Sequence, residues 1–333
     1  MFFVRQICEN DLEDVLALTQ KAGPGMTSLP TDRELLKSKI QDSLNSFAIT
    51  PTQAQNESYR FVLVCLQTQK VMGVSAIRAR IGGFEPFYSY QIKTAQHEST
   101  DLNVKKEIEY LALKKEFDGP SIISSLFIDP DLRGQKLGAL LSAARFFYMA
   151  DNPQRFTKNV IAEMRGYINK ENKSPFWEGT VKHFFDMDFT KADTLSAKDK
   201  GFIADLMPQY PIYLPLLPKE IIEVIAKVHD DTKPALEYLK KQGFKFDGHV
   251  DIFDAGPRIA SKIADIKIIK ESKLVKADAT EKLNDNYKQR VIGNPQNSRY
   301  VYAKALLEKD KVYCEQEILN VLQANKDEIL RVY

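Results

Sequence analysis

The chain has 333 residues, 44% hydrophobic and 28% charged, and its 47 basic and 45 acidic residues leave a formal net charge of +2. That length supports a sizeable core in one large domain or two ordinary ones. The near-balance of charge excludes a protein that coats nucleic acid or a membrane surface, where a basic excess is expected.

The 3 cysteines, Cys8, Cys65 and Cys314, are scattered and odd in number, so neither a disulfide framework nor a zinc site is expected. The start MFFVRQICEN lacks a basic segment followed by an apolar one, and no apolar run reaches the about 18 residues of a membrane span. A reducing cytoplasm is the expected location.

Residues 2–7 (FFVRQI) predict a strand, and Asp11 an N-cap for a helix over LEDVLALTQKA. Gly23-Pro24-Gly25 ends that helix, TSLP (27–30) follows as a loop, and Asp32 caps a second helix, RELLKSKIQDSLNSF. Residues 59–66 (YRFVLVCL) and 71–80 (VMGVSAIRAR) predict a hairpin, with further strands over 87–96 and 105–113. SIISSLFI (121–128) has a buried-strand pattern and leads through a turn into the helix LGALLSAARFFYMA.

VIAEMRG (160–166) is the next strand, and an apolar, aromatic-rich insertion runs from about 174 to 228. After His229, DTKPALEYLKKQGFKF predicts a helix ending at Gly243, and HVDIFDAGP a strand. Beyond Pro257 the texture changes. IADIKIIKES, KLVKADA, QRVIGN and RYVYAKALLEKDKVYC alternate as short strands, EQEILNVLQAN is a helix, and EILRVY closes the chain as a strand. The expected class is α+β, with residues 1–256 as one domain and 257–333 as a small β-rich, barrel-like one.

The strand–turn–helix LFIDPDLRGQKLGALLSAARFF (126–147) carries the first chemical signal. A helix N-terminus offers unpaired N–H groups and the positive end of its dipole, which suits phosphate oxygens. Gly134 and Gly138 would permit close approach, while Arg133 and Lys136 add charge. A merely solvated turn is the alternative.

The turn resembles motif A of the GNAT acyl-CoA N-acyltransferases, an Arg/Gln-x-x-Gly-x-Gly/Ala pattern that holds a CoA pyrophosphate. Arg133, Gly138 and Ala139-Leu140-Leu141 match it, whereas Lys136 stands where the first motif glycine is expected. KPALEYLKKQGFKF is similar to the penultimate helix of that fold, which ends in Gly-Phe, here Gly243-Phe244. A sharper resemblance, to the arginine N-succinyltransferases, lies in TSLP, EMRG (163–166), SPFW (174–177), FFDMDFTKAD (184–193), FIADLMPQYPIY (202–213), DIFDAGP (251–257) and the lysine-rich tail.

The resemblance implies a GNAT-like, mixed and mostly antiparallel sheet with flanking helices. It also implies transfer of a succinyl group from succinyl-CoA to the α-amino group of L-arginine, the entry step of arginine catabolism. Succinyl-CoA is then a co-substrate, with no prosthetic group. Leu126 corresponds to the family's succinyl-CoA contact; Ile128 shares its strand, and Arg133, Gly134, Gln135, Lys136, Leu137, Gly138 and Ala139 form the cofactor turn.

GNAT enzymes often protonate the leaving thiolate with a Tyr four residues before the Gly of Gly-Phe. That position is Leu239, and Tyr238 lies about 100° round the helix. His229, in KVHDDT, is the candidate acid/base, and the resemblance points to the same histidine as proton donor; an ordinary surface histidine at a helix start is the alternative. His183, His97 and His249 carry no supporting motif. With no histidine near any cysteine in sequence, direct transfer is expected.

For the substrates, Glu163 and Arg165 share a strand face at i, i+2; a mutual ion pair is the other reading. Asp186, Asp188 and Asp193 are candidates for a guanidinium, and Thr27 and Ser28 lie on the loop where this fold places acceptor contacts. Ornithine or another basic amino acid as acceptor stays open, as does a non-catalytic binding subunit. A homo-oligomer or a pairing with a homologous subunit is expected.

Overall fold

The protein is described by a computed structural model covering residues 1–22, 26, 28–196, 201–281 and 283–333, with only the backbone of Phe84 and Asp193. In chain order, β1 (Phe2–Gln6) leads to α1 (Leu12–Ala22) and α2 (Arg33–Ala48). Then come β2 (Ser58–Cys65), β3 (Val71–Arg78), β4 (Gly82–Ser99), β5 (Val104–Asp118), β6 (Ser121–Ile128), α3 (Leu137–Asp151) and β7 (Asn159–Glu163). The insertion holds α4 (Pro175–Gly179), α5 (Lys182–Phe185), α6 (Phe189–Ser196), α7 (Gly201–Leu206), β8 (Ile212–Tyr213) and α8 (Lys219–Ile222). α9 (Lys233–Lys241), β9 (Lys245–Val250), β10 (Pro257–Lys262), α10 (Lys267–Glu271), β11 (Lys273–Thr280), β12 (Lys288–Asn294), β13 (Arg299–Glu308), β14 (Lys311–Glu315), α11 (Gln316–Leu322) and β15 (Ile329–Val332) complete it.

One sheet of 15 strands runs in the order β12-β15-β11-β14-β13-β1-β2-β3-β6-β7-β10-β9-β4-β5-β8. A further β12–β13 pairing closes its first 5 strands into a barrel. Most pairings are antiparallel, while β6–β7 and β11–β14 are parallel. The expected α+β class with a C-terminal barrel is what the chain adopts. The strand after Pro257 pairs with β7 and β9 in the central sheet, and the barrel's own strands start at Lys273.

IADIKIIKES differs from its expected strand: it forms a short 3-10 turn (Ile263–Asp265) and α10. Ile266 and Ile268 are buried against the α3 side of the core, with Ile263 and Ile269 packed on it. Three-residue spacing of these isoleucines satisfies a short helix as well as alternation satisfies a strand.

α3 stands over one face of the sheet because its buried residues Leu140, Leu141, Ala144, Phe146 and Phe147 meet Tyr59, Phe61 and Leu63 of β2. α1 and α2 cover the other face, where Leu18, Leu36 and Ile40 meet Val62, Val64 and Val74. Asp32 begins α2 as expected, accepting the Leu35 N–H at 3.0 Å. In the insertion, Ser174 caps α4 by accepting the Trp177 N–H, and the buried Trp177 donates its indole N–H to the Met187 carbonyl. These helices pack on Tyr90, Leu111 and Phe253, forming a wall beside the central sheet. No helix among the described residues is long and apolar enough to cross a membrane.

Candidate active site

β6 and β7 pair only at Ser121–Val160 and Ile122–Ile161, then diverge. The splay leaves the β7-side edge of residues 124–128 open. On its other edge β6 is interrupted by a bulge: β3 advances from Val74 to Ala76 while β6 moves from Phe127 back to Ser124. Ser125, at the bulge, takes a left-handed φ of 54°, a conformation that costs a non-glycine residue about 1 kcal/mol or more. Its hydroxyl donates to the Ser28 carbonyl at 3.1 Å. A cleft of about 990 Å³ opens here, bordered by Leu126, Ile128, the turn after β6, Glu163, Arg165 and Asp230–Thr232. Its size suits a small-molecule site.

The turn between β6 and α3 presents main-chain N–H groups toward the cleft mouth. Asp129 caps a 3-10 turn over Pro130–Leu132, and its carboxylate is held by Lys21 at 2.7 Å, which together with the Asp131 N–H keeps its pKa below the usual range. Gly134 (φ 85°) and Lys136 (φ 61°) are both left-handed. The N–H groups of residues 134–138 make no hydrogen bond among the described residues. Successive free N–H groups at a 15-residue helix start attract an anion through dipole and donors together. Lys136 therefore adopts the conformation that the expected glycine would favour. A side chain at Gly134 would meet nothing within 4 Å, and one at Gly138 only Ile128 Cδ1 at 3.5 Å.

His229 lies across the splay. Its N–H donates to the Arg165 carbonyl at 2.9 Å, and Val228 bridges to Gly166, so the histidine hangs on the end of β7. That end is locked by Asp254, which accepts the Gly166 N–H at 2.7 Å and the Gly256 N–H at 2.8 Å. The EMRG and DAGP motifs thus interlock, and both glycines are needed for close backbone approach: a Cβ on Gly166 would stand 2.2 Å from the Asp254 carbonyl, and one on Gly256 2.0 Å from the Met164 carbonyl.

The His229 ring is half-buried, and Nδ1 accepts the Asp231 N–H at 3.2 Å. That contact places the proton of the neutral ring on Nε2. Burial, then the nearby Arg165 charge, lower its pKa against the weaker pull of Asp231 and Asp230. Across the mouth, Arg133 reaches Asp231 at 4.0 Å, both side chains being exposed. Leu239 is buried on the core face of α9, while the Tyr238 hydroxyl donates to the Ala139 carbonyl at 3.4 Å. Burial raises the Tyr238 pKa far above the phenolic range, so it is no ready proton donor.

Of the other expected residues, Ser28, Glu163 and Arg165 border the cleft. Asp186, at the C-terminal end of α5, and Asp188, just before α6, are exposed and lie outside its lining. Thr27 and the Asp193 side chain lie outside the described residues.

Sequence reasoning missed three arginines that border the same cleft. Arg60 is 5% exposed and Arg145 2% exposed, and burial brings each pKa down to about 10. Among the described residues neither forms an ion pair, and the Nε atom of each is buried without a hydrogen-bond partner. Arg145 donates to the Ser124 carbonyl and Ser142 hydroxyl, bracing the bulge from the α3 side. Arg60, with Arg78 on the same face of the neighbouring strand, lies on the α2 side. The available signal was a lone Arg inside each of two apolar runs, YRFVLVCL and SAARFF.

A family model described as arginine N-succinyltransferase beta subunit matches residues 2–268. An arginine N-succinyltransferase from Yersinia pestis is 41% identical over 275 residues, 82% of this chain and 78% of that protein. One from Enterobacter sp. is 36% identical over 338 residues, covering 100% of this chain and 97% of its own. The solved structure of arginine/ornithine succinyltransferase subunit AI from Pseudomonas aeruginosa superposes with a TM-score of 0.92 at 32% identity, covering 100% of this chain and 98% of that one.

Proposed function

The chain belongs to the arginine N-succinyltransferase family, and from that premise we propose how its cleft transfers a succinyl group from succinyl-CoA to the α-amino group of L-arginine. The product pair is N2-succinylarginine and CoA. The observation that carries this reading is the open β6 edge running straight into five free N–H groups at 134–138. An amide-bearing pantetheine arm can pair with such an edge while its pyrophosphate caps α3. Arg133 and Lys136 add positive charge at the same end.

The arginine amine, once neutral, attacks the thioester carbon; the new C–N bond forms as the C–S bond breaks, through a tetrahedral oxyanion. Main-chain N–H groups near the Ser125 bulge, where the β3–β6 ladder is interrupted, would stabilise that oxyanion. His229 supplies proton transfer. Its neutral tautomer presents Nε2–H for donation toward the departing sulfur, and the lowered pKa makes a transiently protonated ring a ready donor. Taking a proton from the incoming ammonium at Nδ1 requires the Asp231 contact to open. Glu163, which borders the cleft at the end of β7, is a carboxylate that suits the guanidinium of the acceptor.

The Pseudomonas aeruginosa relative's description as arginine/ornithine succinyltransferase favours ornithine as a second acceptor. That same description, of a subunit, supports assembly with another chain. The three free, dispersed thiols suit a reducing cytoplasm. Free-thiol release from succinyl-CoA tests the reading: arginine-dependent release supports it, with ornithine slower. Absence of release with any basic amino acid would leave a binding subunit.

A further inference from the structure

Among the described residues, no acid forms an ion pair with Arg60 or Arg78. Arg60 Nη1 donates to the Ser28 carbonyl at 3.4 Å, and Nε has no partner. Asp42 on α2 is the acid whose field both arginines feel, and it forms no ion pair with either. Arg78 opens into the cleft, yet enough protein surrounds it that burial lowers its pKa too. The two guanidiniums also repel one another. A buried charge left unpaired is strongly destabilising, so a fold that keeps one facing a cleft points to an anion that arrives with a ligand.

The position says which part of the ligand. The Ser28 carbonyl accepts from both Arg60 and the Ser125 hydroxyl, so the guanidinium lies next to the bulge where the thioester carbonyl is placed. In a succinyl group the free carboxylate is two methylenes beyond that carbonyl. Arginine's planar fork matches a carboxylate in bidentate fashion, which a lysine does not.

We propose that Arg60, aided by Arg78, forms the subsite for the free carboxylate of the acyl chain, so that this cleft selects dicarboxylic acyl thioesters over uncharged chains of equal length. The proposal rests on the functional reading above and adds the residues that set acyl specificity. No atoms are exchanged at this subsite; it binds and orients.

The test compares kcat/KM for succinyl-CoA and butyryl-CoA, with arginine as acceptor, in the wild type, Arg60→Met, Arg60→Lys and Arg78→Gln. A charged hydrogen-bond pair lost from a desolvated site lowers binding by about 10- to 100-fold. Arg60→Met should therefore lower the succinyl/butyryl ratio by about 30- to 100-fold, Arg60→Lys by less, and Arg78→Gln by about tenfold. The KM for arginine should hold, and Arg60→Met should melt no lower than wild type, because an unpaired buried charge has been removed. An equal loss with both thioesters, or a loss confined to the KM for arginine, overturns the assignment; the latter would give the pair to the acceptor's carboxylate. Should Arg60→Met not fold, the ratio in Arg78→Gln decides by the same criteria. A wild type that releases no thiol from succinyl-CoA fails the functional reading itself, whereas an active wild type with unchanged ratios in the variants fails only this subsite.

Discussion

Gly166→Ala perturbs the joint that holds His229 in place without touching any substrate. The added Cβ would stand 2.2 Å from the Asp254 carbonyl and 2.6 Å from its Oδ1. Because the first of these is main chain, relief requires β7 and the 251–256 turn to move apart. Moving them weakens the Asp254 bonds to the Gly166 and Gly256 N–H groups. Each is a hydrogen bond to a charged group, with a net contribution of about 1.5–3 kcal/mol. Loss of one and strain in the other gives about 3 kcal/mol of destabilisation. The neighbouring Arg165 carbonyl, which accepts the His229 N–H, shifts with them, so kcat should fall by about 100-fold for a displacement near 1 Å. Denaturant titration reads the stability and a thiol-release assay the turnover. A Gly166→Ala protein with an unchanged midpoint and kcat within twofold of wild type would refute the reasoning.

Gly138→Ala is the converse case: its Cβ has 3.5 Å of room, so the melting temperature should stay within a degree or two while the KM for succinyl-CoA rises through crowding of the phosphate cradle. Arg133→Ala should raise the KM for succinyl-CoA more than that for arginine, and the reverse order would misplace the cofactor end. His229→Ala should lower kcat by about 100- to 10,000-fold with little change in CoA affinity; an unchanged kcat removes the ring from the chemistry. In the wild type, the folded His229 pKa lies below the unfolded imidazole value of about 6.5. The stability linked to its neutral form is therefore present above that value and lost as pH falls through the folded one. The acid limb of kcat/KM should accordingly fall below the ordinary imidazole range, and a limb above it would contradict the environment described.

Much of the fold was legible because its elements carry local signals. Asp32 is a true cap, the α3 helix repeats its apolar residues at helical spacing, and the β2–β3 hairpin reads from two apolar runs joined by a short polar turn. The turn at 132–138 was legible from glycine and charge alone, although the left-handed conformation of Lys136 was not, since no local rule places a lysine there. IADIKIIKES went astray because its isoleucines fit two periods at once, and packing beneath α3 decided between them. Arg60 and Arg145 were hidden for a different reason. Their meaning lies in having no ion-pair partner among the described residues, and a missing counter-ion appears only when β2, β6 and α3 are assembled round one cleft.

The central claim is that the N–H groups of 134–138 hold the pyrophosphate of an acyl-CoA whose thioester lies between the β6 bulge and His229. A crystal structure with CoA and arginine bound tests it most directly. The account predicts pyrophosphate oxygens within hydrogen-bond distance of those N–H groups and the CoA sulfur within reach of His229 Nε2. A CoA molecule bound elsewhere, or its sulfur on the far side of the sheet from that ring, would contradict it.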